Sequence, residues 1–264
     1  MAEFQRLMLS ARAPGVAQVT MSRPEVFNAF DEAMIGELDV AFAQLSEDSA
    51  VRVIVLAGAG KHFSAGADLQ WMQRASVAAR DRNLEDARRF AAMLHRIEAC
   101  PKPTIARVHG AALGGGVGLA CACDLAVGAE EASFCISEAK FGILPAAIGP
   151  YLVNAVGRRQ ARRLALTATR ISAAEAQAIG LVHRVVPSGQ IDAAIDSWVA
   201  ELLAGGPAAQ REIKQLFAQL AVAPTTAEVR ELTAQTISRV RGTEEAREGF
   251  AAFLAKRSPN WNLP

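Results

Sequence analysis

Short apolar segments that end in glycine-rich turns constrain the fold of this chain more than any other feature of its sequence. Residues 51–56 (VRVIVL) and 104–108 (TIARV) are rich in β-branched and apolar residues, and each runs into a stretch of Gly and Ala. Strands with so few polar positions are typical of a parallel sheet covered by helices on both faces. A helix candidate at 116–123 and a further strand at 124–127 follow. This alternation predicts repeated β-α-β units and an α/β fold.

The flanking segments extend this pattern at both ends. Residues 4–10 and 15–21 predict two strands around a Pro-Gly turn, and apolar residues at helical spacing predict helices at 31–46 and 82–99. Residues 57–70, rich in Gly and Ala, are predicted to form a loop. After about residue 150 the pattern is mainly helical. The predicted helical segments are 150–156, 158–168, 172–179, 189–204, 207–221, 226–240 and 243–256.

Length and charge limit the organisation and the partners of the protein. A chain of 264 residues is expected to form a core over residues 1–190 and a helical C-terminal region over 191–264. Lys and Arg total 28 against 27 Asp and Glu, a formal net charge of +1, so no nucleic acid is expected as a partner.

Cysteine content and hydropathy indicate the cellular compartment in which the protein is expected. The four Cys are too few for a disulfide framework, and Cys121 and Cys123 lie in an apolar stretch where packed neutral thiols are expected. The start of the chain contains Glu3 and Arg6 and has no long apolar run. No apolar segment long enough to cross a membrane follows, so we expect a cytoplasmic protein with no membrane segment. No spacing of Cys or His predicts a metal site.

The first candidate site is the small-residue run at 60–69 (GKHFSAGADL), directly after a predicted buried strand. The residue after Lys61 is His62, which excludes a Walker A phosphate loop, and the segment lacks the first Gly of a nucleophile elbow. Small side chains let a ligand approach backbone N–H groups closely. Taken alone, the segment fits an ordinary loop of Gly and Ala better than a binding site.

The second candidate is the glycine run at 110–119 (GAALGGGVGL), between a predicted strand and a predicted helix. Gly114, Gly115 and Gly116 expose unpaired N–H groups beside the positive end of that helix, which suits an oxygen that becomes negative during a reaction. The spacing fails the Rossmann fingerprint because the required third Gly falls on Leu119. Tight packing of helix against sheet is the alternative explanation.

The third candidate is Glu138, which lies among apolar residues at 134–145. A partly desolvated carboxylate has a raised pKa and suits acid/base chemistry. A surface position with Lys140 as its partner is the alternative. The four His have no supporting partners in the sequence and are expected to be structural or surface residues.

Taken together and in this order, these segments resemble the enoyl-CoA hydratase/isomerase superfamily, also called the crotonase superfamily, over nearly the whole chain. The matching segments are 23–24 (RP), 28–29 (NA), 63–69 (FSAGADL), 101–116 (PKPTIARVHGAALGGG), 122–124 (ACD), 173–182 (AAEAQAIGLV) and 253–259 (FLAKRSP). The resemblance implies a crotonase-like fold of repeated β-β-α units. It also implies that the helical C-terminal region takes part in forming a homotrimer or a dimer of trimers.

The resemblance assigns roles to individual residues. Members of the family hold the thioester oxygen of an acyl-CoA on two backbone N–H groups while it becomes an enolate, and by position these belong to Ala67 and Gly115. Arg23 and Lys61 are expected near the CoA phosphates, and Lys256 near the nucleotide of a neighbouring subunit. Coenzyme A enters as part of the substrate, and no separate cofactor is implied. The residues expected to line the CoA groove are Ala65, Asp68, Leu69, Asn28 and Ala29.

Position 118 departs from the family pattern. The best-known hydratases place two Glu around one water; Glu138 matches the second, but the first falls on Gly118, which has no side chain to transfer a proton. Asp124 matches a helix-end residue with a structural role. A single carboxylate can take a proton from water as it attacks Cβ and then deliver it to Cα, so hydration of a 2-enoyl-CoA is the expected activity. A Δ3-Δ2-enoyl-CoA isomerase and a non-catalytic acyl-CoA-binding member are the alternatives.

Three segments resemble one bacterial branch of the superfamily, the methylglutaconyl-CoA hydratases of leucine breakdown. They are residues 67–72 (ADLQWM), 114–124 (GGGVGLACACD) and 137–138 (SE). Substrates of that branch carry a second carboxylate, which requires a cationic or N–H-rich contact. The sequence does not identify this contact.

Overall fold

The computed structural model describes residues 4–262, so the outermost residues of both predicted regions, 1–3 and 263–264, lie outside it. The strands are β1 (Leu7–Ala13), β2 (Val16–Met21), β3 (Val53–Gly58), β4 (Thr104–Val108), β5 (Ala111–Leu113), β6 (Leu125–Ala129), β7 (Ser133–Cys135), β8 (Ile171–Ser172) and β9 (Arg184–Val186). The helices are α1 (Glu32–Glu47), α2 (Leu69–Ser76), α3 (Arg80–Glu98), α4 (Gly115–Ala122), α5 (Gly149–Thr167), α6 (Ala173–Ala178), α7 (Ile191–Ala204), α8 (Pro207–Phe217), α9 (Ala227–Arg241) and α10 (Glu244–Leu254).

Two sheets organise the molecule. The larger has six strands in the order β1-β2-β3-β4-β6-β9, in which β1 is antiparallel to β2 and the other neighbours are parallel. The smaller has the order β5-β7-β8. Because β2, β3 and β4 run in the same direction, their carboxyl ends meet at one edge of the large sheet, where ligands commonly bind in α/β proteins. The predicted α/β fold with a helical C-terminal region is confirmed.

Strand β3 shows why its sequence is almost entirely apolar. Ile54 and Leu56 pack into a core formed with α1, α3 and α4 on one face of the sheet, whereas Val53 and Val55 pack into a second core on the other face. All four side chains are fully buried. The second core includes apolar residues of α7, so this helix covers the sheet although it lies beyond the predicted boundary at residue 190.

Several elements differ from the sequence-based prediction. The predicted loop at 57–70 is followed directly by α2, which the sequence analysis did not find. The Asp68 carboxylate begins this helix by accepting hydrogen bonds from the N–H groups of Gln70 (2.9 Å) and Trp71 (3.2 Å). The short strands β5, β7, β8 and β9 were also missed. The predicted break between two helices near residue 157 is correct, since α5 is interrupted at Gly157, where φ is 72°.

Asp124 joins the large sheet to the C-terminal region. Its Oδ2 atom accepts hydrogen bonds from the backbone N–H (2.8 Å) and the hydroxyl (2.9 Å) of Thr104 on β4, and from the ammonium group of Lys214 on α8 (2.7 Å). Thr104 is fully buried. The structural role that the resemblance implied for Asp124 agrees with these contacts.

We expect Asp124→Ala to lower the free energy of unfolding by about 2–4 kcal/mol, because it leaves the buried N–H of Thr104 without an acceptor and removes the carboxylate paired with the Lys214 ammonium group. Denaturant unfolding followed by circular dichroism measures the change. Glu85→Ala is the matched control: it breaks the exposed ion pair with Arg89 on α3 and should change the free energy by no more than about 0.5 kcal/mol. Equal losses in both variants would contradict the assigned role.

Candidate active site

A cavity of about 970 Å³ opens at the edge of the large sheet where β2 and β3 end. Its wall is formed by the segments that follow these strands, by helices α2 and α3, by the turn between β5 and α4, and by the chain from 137 to 148. Most of the lining is apolar. The lining includes Arg23, Ala29, Phe30, Ala65, Ala67, Asp68, Leu69, Trp71, Asp86, Phe90, Gly114, Gly115, Glu138 and Ile148.

The loop after β3 is held by Asn28, which is fully buried. Its amide nitrogen donates to the carbonyl oxygens of Ala59 and His62, both at 2.8 Å, and its amide oxygen accepts from the N–H of Arg23 at 2.9 Å. The resemblance implied that Asn28 lines the groove. Asn28 instead lies behind the cavity wall and holds in place the two segments that form it. Its neighbour Ala29 lies in the wall.

The N–H of Ala67 has a direction set by its neighbours. The N–H of Phe30 donates to the carbonyl of Gly66, and the carbonyl of Phe30 accepts from the N–H of Asp68, both at 2.9 Å. In such a parallel bridge the residue between the two bonded groups directs its own N–H away from the partner strand. Within residues 4–262 the Ala67 N–H has no acceptor.

A second unpaired N–H belongs to Gly115, the first residue of α4. The N–H groups of a first helical turn have no partner inside the helix, and the helix dipole makes that end positive. No residue of the described chain accepts from the Gly115 N–H. The loop containing Ala67 packs closely here: a Cβ atom on Gly66 would lie 2.5 Å from the carbonyl oxygen of Leu113 and 3.2 Å from the Gly115 nitrogen. The two unpaired N–H groups therefore belong to neighbouring backbone segments.

Glu138 places its carboxylate beside this turn. It begins a short 3₁₀ turn after β7, and a Cβ atom on Gly114 would lie 3.2 Å from its Oε1. Oε2 is buried and has no hydrogen-bond partner among the described residues. Burial raises the pKa of Glu138, and the nearby N–H groups of Glu138 and Ser137 oppose this only in part. The carboxyl group thus has the environment that acid/base chemistry requires.

The space beside Gly118 is filled by an apolar side chain. A Cβ atom on Gly118 would lie 2.8 Å from the Cβ of Ile148 and closer still to its Cγ2. Ile148 is 1% exposed and lies in the cavity wall. Asp124 is bound to Thr104 and Lys214, so Glu138 is the carboxylate that lies at the turn.

Arg23 and Asp68 form an ion pair on the wall. The Arg23 guanidinium lies 3.2 Å from the Asp68 carboxylate and 3.3 Å from the Asp31 carboxylate, and donates to the carbonyl of Ala29 at 2.6 Å. Burial acts to raise the pKa of Asp68, but the N–H groups of α2 and the Arg23 charge lower it overall. Arg23, expected near the CoA phosphates, is thus already engaged with two carboxylates.

The remaining residues that the resemblance singled out divide into two groups. Ala65 and Leu69 lie in the cavity wall, and Leu69 is 64% exposed. Lys61 and Lys256 are exposed and lie outside the cavity lining.

The histidines were expected to be structural or surface residues; three are held by hydrogen bonds and His95 is exposed. His62 Nδ1 accepts from the N–H of Ala111 at 3.0 Å, His183 Nδ1 accepts from the N–H of Ala126 at 3.1 Å, and the His109 ring bonds to the carbonyl of Gly60 at 2.9 Å. Burial lowers the pKa of each of these rings and favours the neutral form.

An aromatic group that the sequence analysis did not select forms the inner wall. The ring of Phe30 lies 5.1 Å from that of Phe90 and 6.5 Å from that of Trp71. The indole N–H of Trp71 is buried and finds no acceptor within residues 4–262. The spacing of Ala87 and Phe90 on α3 marks this face as apolar, but the partners come from distant parts of the chain.

Two findings concern the described chain as a whole. Between residues 4 and 262, no helix has both the length and the apolar character needed to cross a membrane. In the same range, no three His, Cys, Asp or Glu side chains converge as ligands of a metal ion would.

Comparison with known proteins shows the family of this chain. The sequence profile of the family described as Enoyl-CoA hydratase/isomerase matches residues 11–263. An enoyl-CoA hydratase from Shewanella pealeana superposes with a TM-score of 0.94 at 38% identity, covering 98% of this chain and 97% of that one. One from Mycobacterium smegmatis has a TM-score of 0.90 at 34% identity, covering 98% and 99%. A 2,3-dehydroadipyl-CoA hydratase of Escherichia coli is 33% identical over 258 residues, 96% of this chain and 98% of the relative. The chain belongs to the enoyl-CoA hydratase/isomerase superfamily and has the crotonase fold.

Proposed function

We propose that this protein is an enoyl-CoA hydratase, a hydro-lyase that adds water across the 2,3 double bond of an acyl-CoA thioester. One observation carries the proposal: two unpaired backbone N–H groups, of Ala67 and Gly115, belong to adjoining segments next to the half-buried Glu138 carboxylate, whose Oε2 is buried. Paired donors stabilise an oxygen that gains negative charge, and a nearby carboxylate can move the protons that hydration requires.

In the proposed reaction, the thioester oxygen lies between the N–H groups of Ala67 and Gly115. The Glu138 carboxylate removes a proton from water while the water oxygen bonds to Cβ. The π electrons of the double bond move towards the thioester, and the resulting enolate is stabilised by the two N–H groups. Protonated Glu138 then delivers its proton to Cα, which restores the carboxylate and completes the addition of one water. The coenzyme A moiety is part of the substrate, and the reaction needs no further cofactor.

For the acyl group, we propose a 3-methylglutaconyl-type substrate. Its second carboxylate requires N–H donors or a cation, and the buried indole N–H of Trp71 on the cavity wall supports this choice. Asp86 lies on the same wall and Arg23 is already paired with Asp31 and Asp68, so Trp71 is the better candidate for this contact.

Isomerisation is the second candidate activity, because the apolar Ile148 beside Gly118 leaves Glu138 as the proton carrier at the turn. Moving a double bond from C3 to C2 requires one group that removes a proton at C2 and returns it at C4. A non-catalytic protein that binds acyl-CoA is the third candidate, and the same assay distinguishes it from a hydratase and an isomerase.

Incubation with crotonyl-CoA, 3-methylglutaconyl-CoA and a 3-enoyl-CoA tests these alternatives. We expect the conjugated enoyl absorbance of the first two substrates to fall as water adds, with 3-methylglutaconyl-CoA giving the higher kcat/KM. A rise of absorbance with the 3-enoyl-CoA and no loss with the other two would identify an isomerase. Binding of all three without conversion would identify a non-catalytic protein.

We also propose that the protein is cytoplasmic and forms a homotrimer or a dimer of trimers. Helices α8, α9 and α10 carry exposed apolar side chains that are suited to burial against another subunit. Among these side chains are Phe217, Phe250, Phe253 and Leu254. Sedimentation equilibrium of the full chain would distinguish the two assemblies from a monomer.

A further inference from the structure

The side chain of Ile148 occupies the volume that any side chain at position 118 would need. A Cβ atom on Gly118 would overlap the Ile148 side chain, and even the Ile148 Cβ would be only 2.8 Å away. Real Cβ atoms do not approach other carbon atoms so closely, so no side chain at position 118 fits while Ile148 keeps its place. The pair is thus complementary: a missing side chain on one element admits a branched one from another.

The position of this pair relative to Glu138 follows from helix geometry. The N–H of Gly118 donates to the carbonyl of Gly114 at 3.3 Å, so these two glycines lie one turn apart at the start of α4. Glu138 approaches Gly114, and Ile148 approaches Gly118. The carboxylate and the apolar side chain therefore flank successive turns of the same helix, and both lie in the cavity wall.

Ile148 is fixed in this place by the chain around it. It is the residue immediately before α5, its carbonyl accepts the N–H of Leu152 at 3.0 Å, and its side chain belongs to the main core. A side chain anchored in this way cannot swing aside without disturbing the start of α5.

We propose that Ile148 is a specificity-determining residue: it occupies the volume that a second carboxylate at position 118 would need, and so restricts the reaction to one proton carrier. The inference rests on the proposed acyl-CoA chemistry of Glu138. With two carboxylates, the one at position 118 would take the proton from water as the oxygen bonds to Cβ, while protonated Glu138 gives its proton to Cα. The proton on residue 118 would then pass to solvent, and Glu138 would regain one from solvent. Ile148 excludes this route.

Variants at the two positions test the inference. Gly118→Glu alone should lose nearly all activity, because the new side chain collides with Ile148. Ile148→Ala alone should retain the one-carboxylate reaction at a reduced rate. The double variant Gly118→Glu/Ile148→Ala should hydrate crotonyl-CoA at least about 10-fold faster than Ile148→Ala, since a placed acid/base group contributes about 10²–10⁴ in rate. Conversion of a 3-enoyl-CoA should not gain in parallel.

The matched control is Gly118→Gln/Ile148→Ala, which has nearly the same side-chain volume but no carboxylate. It should stay at the level of Ile148→Ala. A folded double Glu variant that is no faster than this control would overturn the inference, as would a Gly118→Glu protein with the wild-type melting temperature and rate.

Formate provides a readout that does not depend on folding of the double variant. It should accelerate hydration by Ile148→Ala, whose truncated side chain leaves room for a small carboxylate, and should not accelerate the wild type. Absence of this rescue counts against the inference. Failure of the proposed function itself has a different signature, because the wild-type protein would then hydrate neither crotonyl-CoA nor 3-methylglutaconyl-CoA in the substrate assay.

Discussion

Glu138→Gln should lower kcat for hydration by about 10²- to 10⁴-fold while acyl-CoA binding changes little. The amide keeps the size and shape of the side chain beside Gly114 but can neither remove a proton from water nor deliver one to Cα. The two proposed backbone donors, Ala67 and Gly115, are unchanged, so the proposed ground-state contacts of the thioester remain.

Stopped-flow absorbance with crotonyl-CoA measures the rate, and calorimetric titration with a non-reactive saturated acyl-CoA measures the affinity. Glu175→Gln is the matched control: it weakens an ion pair with Arg163 on the surface and should keep the wild-type rate. Full hydratase activity in Glu138→Gln would show that another group acts as the base.

The raised pKa of Glu138 also sets the sign of two pH effects. In the proposed reaction Glu138 starts as a carboxylate, so kcat/KM should rise with pH, and burial moves that rise above the usual carboxyl range. For stability the sign is opposite. The folded protein binds this proton more tightly than the unfolded chain, so the stabilising contribution of protonated Glu138 is present below the unfolded-state pKa and is lost as pH rises through the folded-state pKa. Glu138→Gln should therefore be somewhat more stable than wild type at neutral pH. The substitution would thus lower activity while it raises stability.

Gly66→Ala should lower kcat/KM by about 10²- to 10³-fold, the usual effect of losing one donor to the thioester oxygen. Gly66 has φ of 86°, and its new Cβ would lie 2.5 Å from the carbonyl oxygen of Leu113. Because the clash is with backbone, the loop itself must move, and the N–H of Ala67 moves with it. The change acts on the donor without altering any side chain that contacts the substrate.

Gly157→Ala separates this effect from the cost of placing alanine at a positive φ. Gly157 has φ of 72° at the break in α5, but a Cβ atom there meets nothing within 4 Å. Both variants should lose stability from backbone strain, about 1–3 kcal/mol for each strained residue, and only Gly66→Ala should lose activity. Similar activity losses in the two folded variants would contradict the proposed placement of the Ala67 N–H.

The sheet could be predicted from the sequence because its signals are local. Strand β3 alternates between two cores, Ile54 and Leu56 on one side and Val53 and Val55 on the other, so nearly every position had to be apolar. Helix α2 was missed because its start lies within a run of Gly and Ala, where Asp68 is the sole capping signal. The very short strands depend on partners elsewhere in the chain and have no pattern of their own.

The site could be predicted only to the level of its motifs. The glycine and alanine turns and Glu138 were identified, but their meeting depends on contacts between distant segments, such as the pairing of Phe30 with Ala67. Asn28 was assigned to the groove because a motif does not show which way a side chain turns. The contact between Gly118 and Ile148 could not be predicted either, because a glycine in a sequence does not indicate which distant side chain packs against it.

The use of main-chain N–H groups as the proposed donors has an evolutionary consequence. Amide groups persist under almost any substitution, so the part of the enzyme that would stabilise the enolate is protected from most single mutations. The cavity wall, in contrast, is made of ordinary side chains such as Trp71 and Phe90, which can be exchanged one at a time. A lineage built on this scaffold can therefore acquire new acyl preferences while its reaction centre stays intact.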